Sequence, residues 1–208
     1  MELLVATTNE GKLAEIEESL KGLPVQVLPL ETLKNCPSVV EDGKTFEDNA
    51  RKKARTLAAF SGRLTLADDS GLEVDALGGA PGIHSARYSG QDALEVNDTR
   101  NNEKLLQALA SVPEEKRGAR FVCALALCAP AVLGGGEWLF RAECEGRITF
   151  APRGKNGFGY DPLFFYPPLG CTFGELDLEA KSRLSHRSRA LKQLIEAFPS
   201  LLPFQTKL

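Results

Sequence analysis

Four short segments of this 208-residue chain gather side chains able to handle a polyphosphate, a metal ion or a flat ring. The first is Thr7-Thr8-Asn9-Glu10-Gly11-Lys12, where an apolar, β-favouring run gives way to helical spacing. Free N–H groups at a helix start, backed by the helix dipole, attract an anion. Two hydroxyls, an amide and a lysine add donors, so a phosphate is the natural occupant; a polar turn with Thr or Asn as N-cap would look the same. The second is Asp68-Asp69-Ser70-Gly71. Side chains alternate faces along a strand, so only one of these acids can face a given cleft. There it could hold Mg²⁺ or orient a water. Glu41-Asp42 could supply a further carboxylate, or be a solvated acidic loop.

The third segment runs from Gly154 to Pro162, where glycines permit close backbone approach and Phe158 and Tyr160 offer flat faces to a base. The fourth, Lys181 to Arg189, carries Lys181, Arg183, His186, Arg187 and Arg189 and no acid. Helical spacing puts positions 183 and 187 on one face. Gly43-Lys44-Thr45 imitates the end of a Walker A loop, but Ser38 stands where that loop needs glycine. No Ser lies in a Gly-x-Ser-x-Gly elbow, so a Ser-His-Asp hydrolase has no support. His84 reads as structural or exposed, and Trp138 as core or interface.

Periodicity supplies the elements that position these groups. Strands are expected at Glu2–Thr7, Val25–Leu28 and Leu64–Asp69, and a hairpin at Ala119–Ala129 and Trp138–Glu145. Helices are expected at Thr45–Phe60, capped by Thr45, at Asn97–Ala110, at the Leu13, Ile16, Leu20 repeat, and as one C-terminal helix over Leu178–Phe198. Leu30–Gly43, Gly71–Gly90 and residues 152–162 read as loops. Strands alternating with helices, plus a hairpin, make an α/β fold with a mixed sheet in a single domain over residues 1–208.

Composition removes whole classes. With 28 acidic against 25 basic residues the net charge is −3, which argues against a nucleic-acid polymer as partner. No apolar run approaches the ~20 residues of a membrane span. The start, Met-Glu-Leu-Leu-Val-Ala, does not read as a signal peptide. Five scattered cysteines suit reduced thiols in a cytoplasmic protein. Only two histidines exist, so a metal here is expected to be a hard cation on carboxylates.

In this order the segments resemble the inosine/xanthosine triphosphate pyrophosphatase family, also called Ham1-like proteins. The resemblance rests on ATTNEGK at 6–12, EDGKTFEDNARKKA at 41–54, LADDSGLEVDALGGAPGIHSARYSG at 66–90, GFGYDPLF at 157–164 and KSRLSHRSRAL at 181–191. It implies an elongated mixed α/β fold of two lobes around an active-site cleft, a homodimer, and Mg²⁺-dependent hydrolysis of a purine nucleoside triphosphate to the monophosphate and pyrophosphate. Carried over, Thr7, Thr8, Asn9, Glu10, Gly11 and Lys12 would cradle phosphate, with Lys53 and Lys181 adding positive charge. Asp69 would be the catalytic acid/base and a metal ligand beside Glu41, and Ser70 would touch substrate. Phe158, Gly159, Tyr160 and Asp161, with His186 and Arg187, would hold the base.

Two positions depart from the pattern: Thr8 fills a slot often held by glycine, and Val40 one often held by an acid. The chemistry suits a 6-oxo purine, whose acceptor oxygen could meet donors on His186, Arg187 and backbone N–H groups near Gly159, whereas adenine presents an amino donor. A pyrophosphatase for other modified nucleotides and a non-catalytic nucleotide-binding protein are the competing expectations.

Overall fold

The computed structural model describes residues 1–90 and 97–201. Seven strands form one sheet in the order β2-β1-β3-β4-β5-β6-β7. Strand β1 (Glu2–Val5) runs parallel to both β2 (Gln26–Pro29) and β3 (Leu64–Val74). Strands β4 (Gly118–Ala129), β5 (Gly136–Ile148), β6 (Phe164–Tyr166) and β7 (Cys171–Thr172) continue antiparallel. The mixed α/β sheet matches the expected class.

Helices cover it in halves. Alternation on β3 turns Leu64 and Leu66 toward a cluster with Ile16 and Leu20 of α1 (Glu10–Leu20) and Leu191 and Leu194 of α5 (His186–Leu201). Ala67 faces the other way, onto Ala50, Ala54 and Leu57 of α2 (Phe46–Ser61). Further along, Leu72 and Val74 join a separate cluster with Leu105 of α3 (Asp98–Ala108), Phe164 and Phe173. The long strands β3, β4 and β5 therefore run through both lobes, and the polar stretch Asp68-Asp69-Ser70 lies between them.

Several expectations change. Strand β3 continues five residues beyond Asp69, because β4 pairs with it in register from Thr65 to Val74. Pairing overrides the poor β preference of Asp and Gly. On its other side β3 loses its partner at Leu66, where β1 ends and the chain turns away into α1. That edge, unpaired by β1, borders the cleft. The expected loop over Gly71–Gly90 contains the end of β3 and two 3-10 turns, Asp75–Leu77 and Gly82–Arg87.

The single C-terminal helix is two. A four-residue helix α4 (Leu178–Lys181) ends, and Ser185 starts α5 by accepting Ser188 N–H at 3.1 Å. Arg183 consequently does not share a helix face with Arg187; it lies at the surface, paired with Glu179, while Arg187 is buried. The five cysteines are free thiols. No described helix is long and apolar enough to cross a membrane.

Candidate active site

One cleft between the lobes is lined by Asn9, Lys12, Glu41, Lys53, Asp69 and Ser70 toward one end. Phe158, Gly159, Tyr160, Asp161, His186 and Arg187 line it too, as does Lys181. Residues as far apart in sequence as Asn9 and Arg187 thus meet in one cavity. Thr7 and Thr8 line an adjoining groove that shares Asn9, Lys12, Glu41 and Lys53 with the cleft. Glu10 and Gly11 line neither. Glu10 is exposed at the start of α1, and Gly11 lies beneath the Phe158 ring.

The turn into α1 both caps the helix and points it at the cleft. Asn9 Oδ1 accepts Lys12 N–H at 2.9 Å, and Thr7 Oγ1 accepts Asn9 N–H at 3.1 Å. Lys12 reaches across the open edge of β3, its Nζ 2.5 Å from Asp68 Oδ1.

The two neighbouring acids take different roles because they face opposite sides of β3. Asp68 is wholly enclosed: its Oδ2 accepts Arg187 Nε–H at 2.9 Å, and its Oδ1 accepts the Ser70 hydroxyl at 2.8 Å. Burial raises its carboxyl, but Arg187 and Lys12 outweigh that and hold it well below the ordinary carboxylate range. Asp68 is a structural anion.

Asp69 is the unsatisfied one. It faces the Glu41–Lys53 ion pair, and burial, aided by Glu41 and opposed by Lys12 and Lys53, pushes its carboxyl up to about 6. Asn49 lies close enough to favour its charged form, yet neither Asp69 Oδ2 nor Asn49 Nδ2 completes a hydrogen bond. A buried carboxylate oxygen without a partner is costly unless something else binds it.

At the other end runs a chain of alternating charges. Glu15 of α1 receives Lys181 Nζ at 2.6 Å and Arg187 Nη1 at 2.5 Å, and Lys181 also pairs with Asp161. All four side chains are at most 3 % exposed. Lys181 Nζ also lies 4.5 Å from the centre of the Phe158 ring. Its charge is matched by two carboxylates, and it stands against the aromatic loop.

The His186 ring stacks on Phe121 with centroids 4.7 Å apart. Burial, reinforced by Arg187 and Lys181, drops its pKa well below 6.5, so the imidazole is neutral. Its Nδ1 has no partner within the described residues. Backbone N–H groups expected to read the base are already engaged: Phe158 N–H donates to Asp161 Oδ2 at 2.9 Å, and Gly159 N–H to Asp98 Oδ2 at 2.6 Å.

Glu15, Ser85, Arg87, Asp98 and Phe121 were not legible as site residues. Glu15 alone carried a signal. It sits three residues after Lys12, beside Ile16 on the inward face of α1, where an unpaired acid would not persist. Gly71 explains how Ser85 arrives: a side chain at Gly71 would collide with Ser85 Oγ and the Gly82 carbonyl.

The Ham1 family profile matches residues 3–197. The chain belongs to the Ham1 family. It is 54% identical over 200 residues to a dITP/XTP pyrophosphatase of Syntrophobacter fumaroxidans, covering 96% of this chain and 83% of the relative. To the dITP/XTP pyrophosphatase of Geobacter sulfurreducens it is 55% identical, covering 92% of this chain and 94% of the relative. A Ham1 protein from Coxiella burnetii superposes with a TM-score of 0.84 at 40% identity, over 96% of this chain and 99% of that one. The Ham1 protein of Staphylococcus aureus gives 0.81 at 37% identity, over 96% and 98%.

Proposed function

We propose that this Ham1 protein hydrolyses nonstandard purine nucleoside triphosphates (ITP, dITP and XTP) to the monophosphate and pyrophosphate. One observation carries the reading: a single cleft joins an unsatisfied acid, Asp69, with two lysines at one end to a neutral imidazole and an aromatic loop at the other. The names of the curated relatives point the same way.

Asp69 and Glu41 fit a hard divalent cation such as Mg²⁺. Both are oxygen donors, and Asp69 Oδ2 is buried without a partner among the described residues. Two carboxylates suit an ion that keeps several waters and takes its other ligands from phosphates. When bound, the ion neutralises phosphate charge and sharpens a water as nucleophile.

The chain's own residues do the rest. Asp69 is buried enough to hold a proton near neutrality, so its carboxylate can orient a water toward the α-phosphorus and take up its proton. Lys12 and Lys53 face the departing pyrophosphate, with the Thr7 and Thr8 hydroxyls further along the adjoining groove. Their positive charge stabilises what accumulates there. At the far end Phe158 and Tyr160 supply apolar surface for the purine. His186 and the Arg187 N–H groups not spent on Asp68, Glu15 and Ser70 supply donors for a 6-oxo group. An adenine amino group would meet donor against donor.

A homodimer belongs to the same reading. Val132 and Phe150, 79 % and 59 % exposed, are apolar side chains that a second copy could cover. Light scattering of the purified protein measures it.

The deciding experiment is product analysis from ITP with Mg²⁺. IMP and pyrophosphate in equal amounts, absent with EDTA, support the reading; IDP and orthophosphate overturn it. ITP, dITP and XTP should outrun ATP, GTP and UTP by orders of magnitude.

A further inference from the structure

Helix α3 carries no residue that the sequence singled out, yet its first two turns grip the aromatic loop. Asp98 Oδ2 accepts the Gly159 N–H at 2.6 Å, and Asn102 Nδ2 donates to the Gly159 carbonyl at 2.9 Å. These two groups belong to different peptide planes, Phe158–Gly159 and Gly159–Tyr160. Planar peptides leave only φ and ψ of Gly159 to set the angle between its neighbours. Gly159 has a φ of +61°, a left-handed conformation that glycine adopts freely and a side chain would strain, so the clamp selects one of several backbone states open to it. The clamp therefore fixes the angle between the two peptide planes that carry Phe158 and Tyr160.

Its footing is firm on the opposite wall. Asn101 Oδ1 accepts Ser89 N–H at 2.7 Å, and its amide donates to the Ala86 carbonyl at 3.1 Å. The Tyr160 hydroxyl donates to the Ser85 carbonyl at 2.8 Å, tying the loop to the same segment. The clamp also has a chemical consequence. It turns the Gly159 carbonyl toward Asn102, so that this acceptor is held by α3 rather than offered to the amino group of adenine.

From this geometry we infer that Asp98 and Asn102 are positioning residues for purine recognition, holding the Gly159 peptides so that the loop offers ring faces and withholds backbone hydrogen-bonding groups. The inference rests on the purine-triphosphatase reading above. Its test is steady-state kinetics of the full chain with ITP and ATP, alongside thermal melting.

Asn102→Leu and Asp98→Ala should each raise KM for ITP about 10-fold, with kcat within about twofold. Asn102→Leu, which frees the carbonyl, should also narrow the ITP-to-ATP preference at least about fivefold. Asp98→Asn keeps an acceptor oxygen and should recover most of the KM lost in Asp98→Ala. Unchanged KM and preference in both truncations, or a loss confined to kcat and melting temperature, would overturn the inference. If one truncation does not fold, the other decides. Wild-type protein that leaves ITP intact sinks the functional reading first, and this role with it; wild-type turnover with unaltered variants sinks this role alone.

Discussion

Arg187 Nε donates to Asp68 Oδ2 over 2.9 Å, joining residues 119 positions apart inside the protein. The contact is one link in a run of alternating charges, Lys12–Asp68–Arg187–Glu15–Lys181–Asp161, that runs along the cleft from Lys12 to the aromatic loop. Each charge is costly to bury alone and tolerable only because its neighbours are present. The same run ties β3, α1 and α5 together, so the site's framework and its chemistry share residues.

Removing the middle link should expose that cost. Arg187→Met leaves Asp68 and Glu15 buried without their main partner. It should lower stability by about 3–5 kcal/mol, read as a shift in the urea midpoint. A loss below ~1 kcal/mol would mean that water reaches these acids.

Asp69 behaves differently, because it is buried and unmatched. Asp69→Asn keeps the shape and removes the base, so kcat should fall by about 10²–10⁴-fold while the far-UV spectrum is unchanged. Near-wild-type turnover in this variant would take Asp69 out of the mechanism.

The pH dependence of metal-free stability gives an independent check. The Asp69 carboxyl sits near 6 folded against 3.8 unfolded, so the folded state holds a proton that the unfolded chain has released. The contribution of Asp69 to stability then declines as pH rises from about 4 to 6, by ~3 kcal/mol in all. Metal-free Asp69→Asn lacks this decline. It should melt above the wild type at pH 7.5 and converge with it near pH 4; melting curves that stay parallel across that range would contradict the assigned burial.

Asp68 and Glu15 titrate with the opposite sign. Both are held below their ordinary values, so the stability they contribute is present at neutral pH and lost as pH falls through and below ~4. Wild-type protein should unfold more readily at pH 3 than at pH 5 in urea. Substituting Asp68 with Asn should flatten that acid limb, and an unchanged limb would place the sensitivity elsewhere.

Gly11 tests the contact between α1 and the aromatic loop. A methyl group there would run into the Phe158 ring. Gly11→Ala should displace that ring and raise KM for ITP several-fold, with kcat for saturated enzyme little altered. If kcat collapses with KM unchanged, Gly11 acts at the phosphates as its place in the sequence first suggested.

Local patterns in the sequence determined most of the elements. Thr45 caps α2 by accepting Asp48 N–H, Asn9 caps α1, and a continuous apolar run marks β4, since these signals are local in the chain. The sequence also marked Asp69, Lys12, Lys53, Phe158 and His186 as chemistry-bearing types, and the structure brings them to one cleft. It could not separate Asp68 from Asp69. The two differ only in which face of β3 they occupy and what waits there: Arg187 and Lys12 for one, the Glu41–Lys53 pair and Asn49 for the other. Nor could it foresee the break at Ser182–Ser185, the burial of Glu15 and Lys181 as partners, or the hold of Asp98 on Gly159. Those depend on pairings between distant segments, and only packing of the lobes fixes the desolvation that turns an ordinary acid into a base or a strut.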